Sequence, residues 1–340
     1  MFWNRGKKAD ITRFPSLINC ADVNGIAAAR SRLYSGNRDW IGQDAISCSV
    51  DDLEFLPGQY RYSVRTEDVT FEMLSLPAEN AKKLYISFCG LGTGRQKKAN
   101  SYPCFLRWKY VNFLDGGYMC IEDPMYAKNT EHVQWYYGTR DVSYLHAMVP
   151  VIRRIMHVRN IASRDVYFFG SSGGGTAALQ MANLISGSTA IAINPQFDLM
   201  GWSRKTTDFF RDELQIDLAA DDPFHRNFLR LENAQSRFFI CENMLSPGDA
   251  RQFRSFAERS SLPVEYGLRK FRNMITWLHA TEGANLHGTY PLELDFALIC
   301  FLLEEDRSGV DVNGYGPFMD WYNEIFNRYF LAAKNAVKKA

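Results

Sequence analysis

Residues Gly170-Ser171-Ser172-Gly173-Gly174 constrain this chain more than any other stretch, because of what lies on each side of them. Val166-Tyr167-Phe168-Phe169 precedes them and reads as a buried strand; Thr176-Ala177-Ala178-Leu179-Gln180-Met181-Ala182 follows and reads as a helix. A turn this tight between strand and helix tolerates almost no side chain at its flanks, hence the glycines. It lifts Ser172 above the sheet edge and starts a helix directly behind it. That helix N-terminus and the amide of Gly173 then face any negative charge that develops beside the serine. Gly-x-Ser-x-Gly arises by chance in roughly one chain in ten of this length, with glycine and serine each near ~7% of residues. The strand before it and the helix after it give it weight.

The surrounding pattern predicts the rest of the sheet. Tyr60-Arg61-Tyr62-Ser63-Val64 and Val69-Thr70-Phe71-Glu72-Met73-Leu74 alternate like paired antiparallel strands. Apolar runs at 84–89, 118–121, 190–193, 238–241 and 274–278 read as further strands, and 102–114 and 142–158 as helices. Two antiparallel strands followed by alternating strand and helix imply an α/β fold with a mostly parallel, doubly wound sheet and helices on both faces. Ligands then sit at the carboxyl ends of the strands. The expected organisation is an N-terminal extension over 1–57, a core domain over 58–304 with a lid-like insertion at 198–237, and an amphipathic C-terminal helix within 305–340.

A serine hydroxyl is a poor nucleophile until a base takes its proton, and the base is usually a histidine held by a carboxylate. Of six histidines, His287 is the best placed: it follows the strand-like 274–278, in a glycine-bearing loop ahead of a helix starting near Pro291. His279 is the second choice. The Gly170–Gly174 turn resembles the nucleophile elbow of the α/β-hydrolases, and that resemblance implies an acid between the serine and the histidine in chain order. Asp249 lies a short loop beyond the 238–241 strand, with Glu242 and Asp198 as alternatives; Asp123 precedes the serine and has the wrong order. Besides Gly173, a second oxyanion donor is expected from Gly90-Leu91-Gly92-Thr93-Gly94, where Leu91 is the chosen amide. Trp135, Tyr136 and Tyr137, with the aromatics of 198–237, are expected to line the pocket mouth.

Over roughly 58–304 the chain resembles the α/β-hydrolase superfamily, in which the Gly-x-Ser-x-Gly turn is the nucleophile elbow. The resemblance implies Ser172 as nucleophile, Asp249 as acid, His287 as base, Gly173 and Leu91 as the oxyanion-hole amides, and 198–237 as the lid. It implies a serine esterase that works through an acyl-enzyme and needs no metal or organic cofactor. The Cys89-Gly90-Leu91 loop departs from the His-Gly-Gly loop of many esterases and leaves the subfamily open. Gly170-Ser171-Ser172-Gly173-Gly174-Gly175 with Asn194-Pro195-Gln196 is also similar to hydrolase-like proteins of bacterial surface-polysaccharide and glycoprotein export systems, some of which acetylate sugars. An O-acyltransferase with the same triad is therefore the second reading, and a catalytically inactive binding subunit the third. The expected partner is a small ester or an acylated carbohydrate.

Bulk properties exclude other classes. A net charge of +1 over 340 residues gives no reason to expect nucleic acid. The longest apolar run, 296–303, is far too short to span a bilayer, and Arg5, Lys7, Lys8, Asp10 and Arg13 interrupt any signal-like core. Seven scattered cysteines, four of them in apolar runs, point to a reduced, cytoplasmic protein.

Overall fold

The computed structural model describes residues 44–55, 60–76, 81–91, 102–108, 116–127, 132–220, 222–280, 285–287, 299–300, 302–304, 306–309 and 311–313. The start of the helix expected near Pro291 lies outside these residues, although 299–300 and 302–304 are helical; Asp221, the glycine loop after Leu91 and residues beyond 313, where the C-terminal helix is expected, also lie outside them. Ten strands among the described residues form one sheet: β1 (Ile46–Ser49), β2 (Tyr60–Arg65), β3 (Thr70–Leu76), β4 (Leu84–Phe88), β5 (Gly117–Ile121), β6 (Val166–Ser171), β7 (Thr189–Ile193), β8 (Arg237–Asn243), β9 (Gly267–Phe271) and β10 (Met274–His279). Their order is β1-β2-β3-β5-β4-β6-β7-β8-β10-β9. Only β3 and β9 run against the rest. This is the mostly parallel sheet with an antiparallel start that the sequence predicts, and it is the α/β-hydrolase fold. The central strands β4, β5, β6 and β7 are buried at every residue, which is why they read as continuous apolar runs and not as alternation.

Three helices share one core cluster with one sheet face: α1 (Tyr144–Val158), α2 (Gly173–Leu184) and, after the short α3 (Arg204–Asp212), α4 (Pro247–Arg259). In α1, Leu145, Met148, Val151, Ile152 and Ile155 recur at helical spacing and are buried, and Ser143 caps its start by accepting from the His146 amide at 3.4 Å. The same cluster holds Phe168, Ala190, Ala192, Phe238 and Ile240 from β6, β7 and β8. Truncating a core ring such as Phe168 to alanine is expected to cost about 3–5 kcal/mol. The alternate residues of the strands meet other segments. The Tyr118 hydroxyl donates to the Arg107 carbonyl at 3.1 Å, Arg107 lies over the Phe169 ring, and the Tyr167 hydroxyl bonds Glu304.

The structure corrects one helix and adds two strands. Residues 102–108 are irregular, not the start of a helix over 102–114; 109–114 lie outside the described residues. Phe105 and Arg107 have φ of 45° and 63°, and the buried Glu122 carboxylate takes the Phe105 amide at 2.8 Å, so a tertiary acceptor replaces the helical one. The edge strands β1 and β9 carry little apolar pattern and escaped the sequence reading. β1 is nonetheless parallel to β2, and nearby Leu53 is fully buried in the main core, so part of 1–57 is integral to the fold.

The segment 198–236 lies between β7 and β8. Its Leu199, Phe209, Phe210, Ile216 and Leu218 form a second core with Met125, Val133, Trp135 and Tyr137. No helix among the described residues is long and apolar enough to cross a membrane.

Candidate active site

Ser172 follows β6 and immediately precedes α2, with φ 54° and ψ −130°. A non-glycine residue there is strained, and the surroundings must hold it. Hydrogen bonds do so: its amide donates to the Ile193 carbonyl at 2.8 Å, and its carbonyl accepts from Gly175 and Thr176 at 2.8 and 3.1 Å. The turn closes only because Gly170 and Gly174 lack side chains. A Cβ on Gly170 would lie 2.1 Å from the Gly174 carbonyl oxygen, and one on Gly174 would lie 2.4 Å from that of Phe88.

Three elements far apart in sequence converge on the serine. His287 Nε2 lies 3.0 Å from Ser172 Oγ, and His287 Nδ1 lies 2.8 Å from Asp249 Oδ1. Asp249 is in the first turn of α4, where the helix dipole favours a carboxylate, and it is completely buried. The carboxylate can only accept, so Nδ1 carries the proton and Nε2 presents its lone pair to the serine hydroxyl. The other candidates sit elsewhere. Asp198 Oδ1 accepts from the Gly201 amide at 3.0 Å. Glu242 is fully buried, and neither of its oxygens has a hydrogen-bond partner among the described residues. Burial first, and then the Asp249 charge, pushes its carboxyl well above the usual carboxylate range. His279 lies within β10, where burial pushes its imidazole down to about 4. Asp123 builds a turn, accepting from the amides of Met125 and Tyr136 at 3.0 and 2.7 Å.

Gly173 is the first residue of α2. A Cβ on Gly90 would lie 2.7 Å from the Ser171 carbonyl oxygen and 3.6 Å from Ser172 Cβ, so the β4 loop that continues into Leu91 runs directly beside the elbow. Leu91 itself packs against the second core.

The three aromatics at 135–137 are all buried, and each has its own task. Trp135 and Tyr136 have φ of 53° and 56°. The Tyr136 hydroxyl donates to the Ile121 carbonyl at 2.6 Å and accepts from the Cys89 amide at 2.7 Å, so this ring pins the ends of β4 and β5 together. Tyr137 donates to Asn227 Oδ1 at 2.9 Å, inside the insertion, and desolvation by burial pushes its phenol up to about 12. Trp135 alone reaches the serine's neighbourhood: a Cβ on Gly173 would lie 3.3 Å from its ring. From the insertion, the Trp202 ring lies 5.0 Å from that of His287.

Three polar side chains at the site were not singled out from the sequence for a role there. Asn194, just past β7, donates from Nδ2 to the His287 carbonyl at 2.8 Å. Asn243, at the end of β8, donates to the Leu286 carbonyl at 3.1 Å, and its amide donates to Asn194 Oδ1 at 3.0 Å. Together they clamp the backbone that carries the imidazole. Gln196 presents Nε2 at 3.3 Å from Ser172 Oγ. They share one signal: each lies at or just past the end of a central strand, where ligand-facing groups gather.

No protein-family model and no curated protein matches the sequence. Among solved structures the chain is similar to the capsule O-acetyltransferase of Neisseria meningitidis serogroup A, with 14% identity over 74% of this chain and 96% of that one and a TM-score of 0.45. It is also similar to an α/β serine hydrolase without lid from Xanthomonas campestris, with 10% identity over 75% of this chain and 97% of that one and a TM-score of 0.44. A third is the Glycosylation Associate Protein complex from Streptococcus agalactiae, with 15% identity over 77% of this chain and 48% of that one and a TM-score of 0.44. The strand order and the elbow define the architecture of the α/β-hydrolase superfamily.

Proposed function

We propose that the protein is a serine esterase acting on small carboxylic esters or acylated carbohydrates. The observation that carries this reading is the continuous relay from Asp249 through His287 to Ser172, with contacts of 2.8 and 3.0 Å. Ser172 Oγ attacks the ester carbonyl carbon while its proton passes to His287 Nε2. The carbonyl electron pair moves onto oxygen, where the amides of Gly173 and Leu91 donate to it. Collapse of that intermediate expels the alcohol, which takes the proton from His287. Water, deprotonated by the same imidazole, then resolves the acyl-enzyme. Asp249 keeps the productive tautomer and stabilises the imidazolium.

The 198–237 insertion serves as the lid in this reading, supported by Trp202 lying against His287. Buried thiols at Cys89, Cys120, Cys241 and Cys300 support a reducing, cytoplasmic setting.

The test feeds the purified protein an aryl acetate. Steady acetate release without any added sugar, lost in Ser172→Ala, is the expected result. Release that begins only when an oligosaccharide is supplied, with the acetyl group found on that oligosaccharide, replaces water by a sugar hydroxyl in the last step and makes the protein a transferase. Release no faster than in protein-free buffer makes it a binding subunit, and equal release above that background from wild type and Ser172→Ala excludes Ser172 as the nucleophile.

A further inference from the structure

Gln196 is completely buried, two residues past the Asn194 turn, with its backbone tied to α2. Its amide donates to Thr176 Oγ1 at 2.9 Å and its carbonyl accepts from the same hydroxyl at 2.8 Å. The side chain therefore starts from a fixed point. Its Oε1 accepts from Trp135 Nε1 at 2.8 Å, while Nε2 lies 3.3 Å from both the Asn194 carbonyl and Ser172 Oγ.

These partners leave one orientation for the carboxamide. An indole N–H can only donate, so the amide oxygen faces Trp135. A backbone carbonyl can only accept, so the NH2 group faces Asn194 and, with its second hydrogen, the serine oxygen. A flipped amide would set donor against donor and acceptor against acceptor in a buried site, where each unmade bond costs about 1–3 kcal/mol. The strained backbone at Trp135 and Tyr136 is part of this arrangement. Asp123 and the Tyr136 hydroxyl hold the loop in its left-handed conformation, and the loop in turn aims the indole at Gln196.

We infer that Gln196 is a further catalytic residue, whose Nε2–H donates to the seryl oxygen and to the oxyanion that forms beside it. The inference rests on Ser172 being the nucleophile. When the Oγ–carbon bond forms, the carbonyl electron pair moves to an oxygen on the carbon that Oγ has just joined, and the serine proton leaves for His287. Negative charge thus grows within reach of a donor that is already aligned and shielded from water. At 3.3 Å the contact to Oγ is long for a neutral pair, and the same N–H makes a shorter, charge-assisted bond to the oxyanion on the carbon that Oγ has joined. Gln196 adds a side-chain donor to the two backbone amides at Gly173 and Leu91.

The experiment measures the rate at which a fluorophosphonate labels the full-length protein, with the modified residue mapped by mass spectrometry. Phosphonylation also drives negative charge onto an oxygen next to Oγ, and it needs no knowledge of the natural substrate. Gln196→Met keeps the length of the side chain and the backbone tie to Thr176. Gln196→Glu keeps the shape and replaces the donor by an acceptor. Melting temperatures report whether each variant folds. The expected result is labelling still at Ser172 but about 100-fold slower, in line with the loss of one oxyanion donor. The kcat for an aryl ester falls in parallel while KM stays within about threefold. Labelling rates within threefold of wild type in a folded variant overturn the role of Gln196 and leave that of Ser172 intact. A rise in KM with kcat unchanged also overturns it, because that pattern marks ground-state binding. Wild-type protein that is not labelled at Ser172 overturns both the inference and the reading beneath it.

Discussion

The loop at 135–140 touches two buried polar clusters built in opposite ways. On one side, Tyr137, Thr139 and Arg140 offer their carbonyls to Arg226, at 2.7, 2.8 and 3.3 Å. That guanidinium also bonds both oxygens of Asp222, with contacts of 2.8 to 3.1 Å, and lies against the rings of Tyr137 and Phe224. Every partner is made, and the result is a clip that fastens the segment around Arg226 to the 137–140 loop. On the other side, Trp135 reaches the cluster of Gln196, Ser172, His287 and Asp249. Here the contact to the serine is long, and Asp249 Oδ2 and both Glu242 oxygens have no hydrogen-bond partner among the described residues. A saturated network has nothing left to offer a substrate. A network with unmet bonding capacity costs stability, and what it retains is the ability to respond when charge appears.

Substitutions in the two clusters should separate rate from stability. The largest effect is expected at the serine: Ser172→Ala or His287→Ala lowers ester turnover on the order of a million-fold. Asp249→Asn lowers it by about 10⁴-fold, because the amide favours the wrong tautomer of His287. Melting curves of the serine variant should stay close to wild type, since that side chain is outside the core. A rate loss under tenfold at Ser172 would make the unsaturated cluster as inert as the saturated one.

Arg226 should show the reverse. Arg226→Met leaves Asp222 buried and unpaired, at an expected cost of about 3–5 kcal/mol in urea unfolding. The labelling rate of the folded fraction should change little. Burial pulls the Asp222 carboxyl up, but the hydrogen bonds from Arg226 outweigh it and hold it below the usual carboxylate range. A pKa lower in the folded than in the unfolded state gives stability that is present above about pH 4 and is lost as pH falls through the folded value. The difference between wild type and Arg226→Met should therefore shrink on acidification. A difference that is constant with pH contradicts the assignment.

The smallest effect is expected at Glu242. Its folded pKa is raised by burial and by Asp249, so its contribution is most favourable below about pH 4.5 and is lost as pH rises. Glu242→Gln carries no such penalty. Its melting temperature relative to wild type should climb as pH rises above about 4.5, by roughly 1–2 °C for each kcal/mol relieved. A flat difference means that the glutamate is not held protonated by its surroundings.

The parts of this molecule that were legible in sequence are those whose cause is local. The central strands announce themselves because burial on both faces demands apolar residues throughout, as in Val166-Tyr167-Phe168-Phe169. The elbow is legible because a tight turn demands glycine at fixed spacing, and the chain order that follows picked out Asp249 and His287, which the structure brings to Ser172. What was hidden depends on partners distant in sequence. Pro103 to Arg107 is diverted from a helix by the carboxylate of Glu122. Gln196 gains its orientation from an indole 61 positions earlier, and Asn194 and Asn243 gain their purpose from a loop more than forty positions later. No local pattern encodes such meetings. A polar residue just past the end of a central strand is the one clue, and it names a neighbourhood without naming a task.

Site-mapped labelling of the wild-type protein with a fluorophosphonate tests whether Ser172 is activated by His287 and Asp249. A single modified residue is expected, Ser172, with Ser171 untouched, and labelling abolished by His287→Ala in a protein that still folds. Modification at another residue, or labelling of Ser172 that survives loss of His287 undiminished, contradicts it.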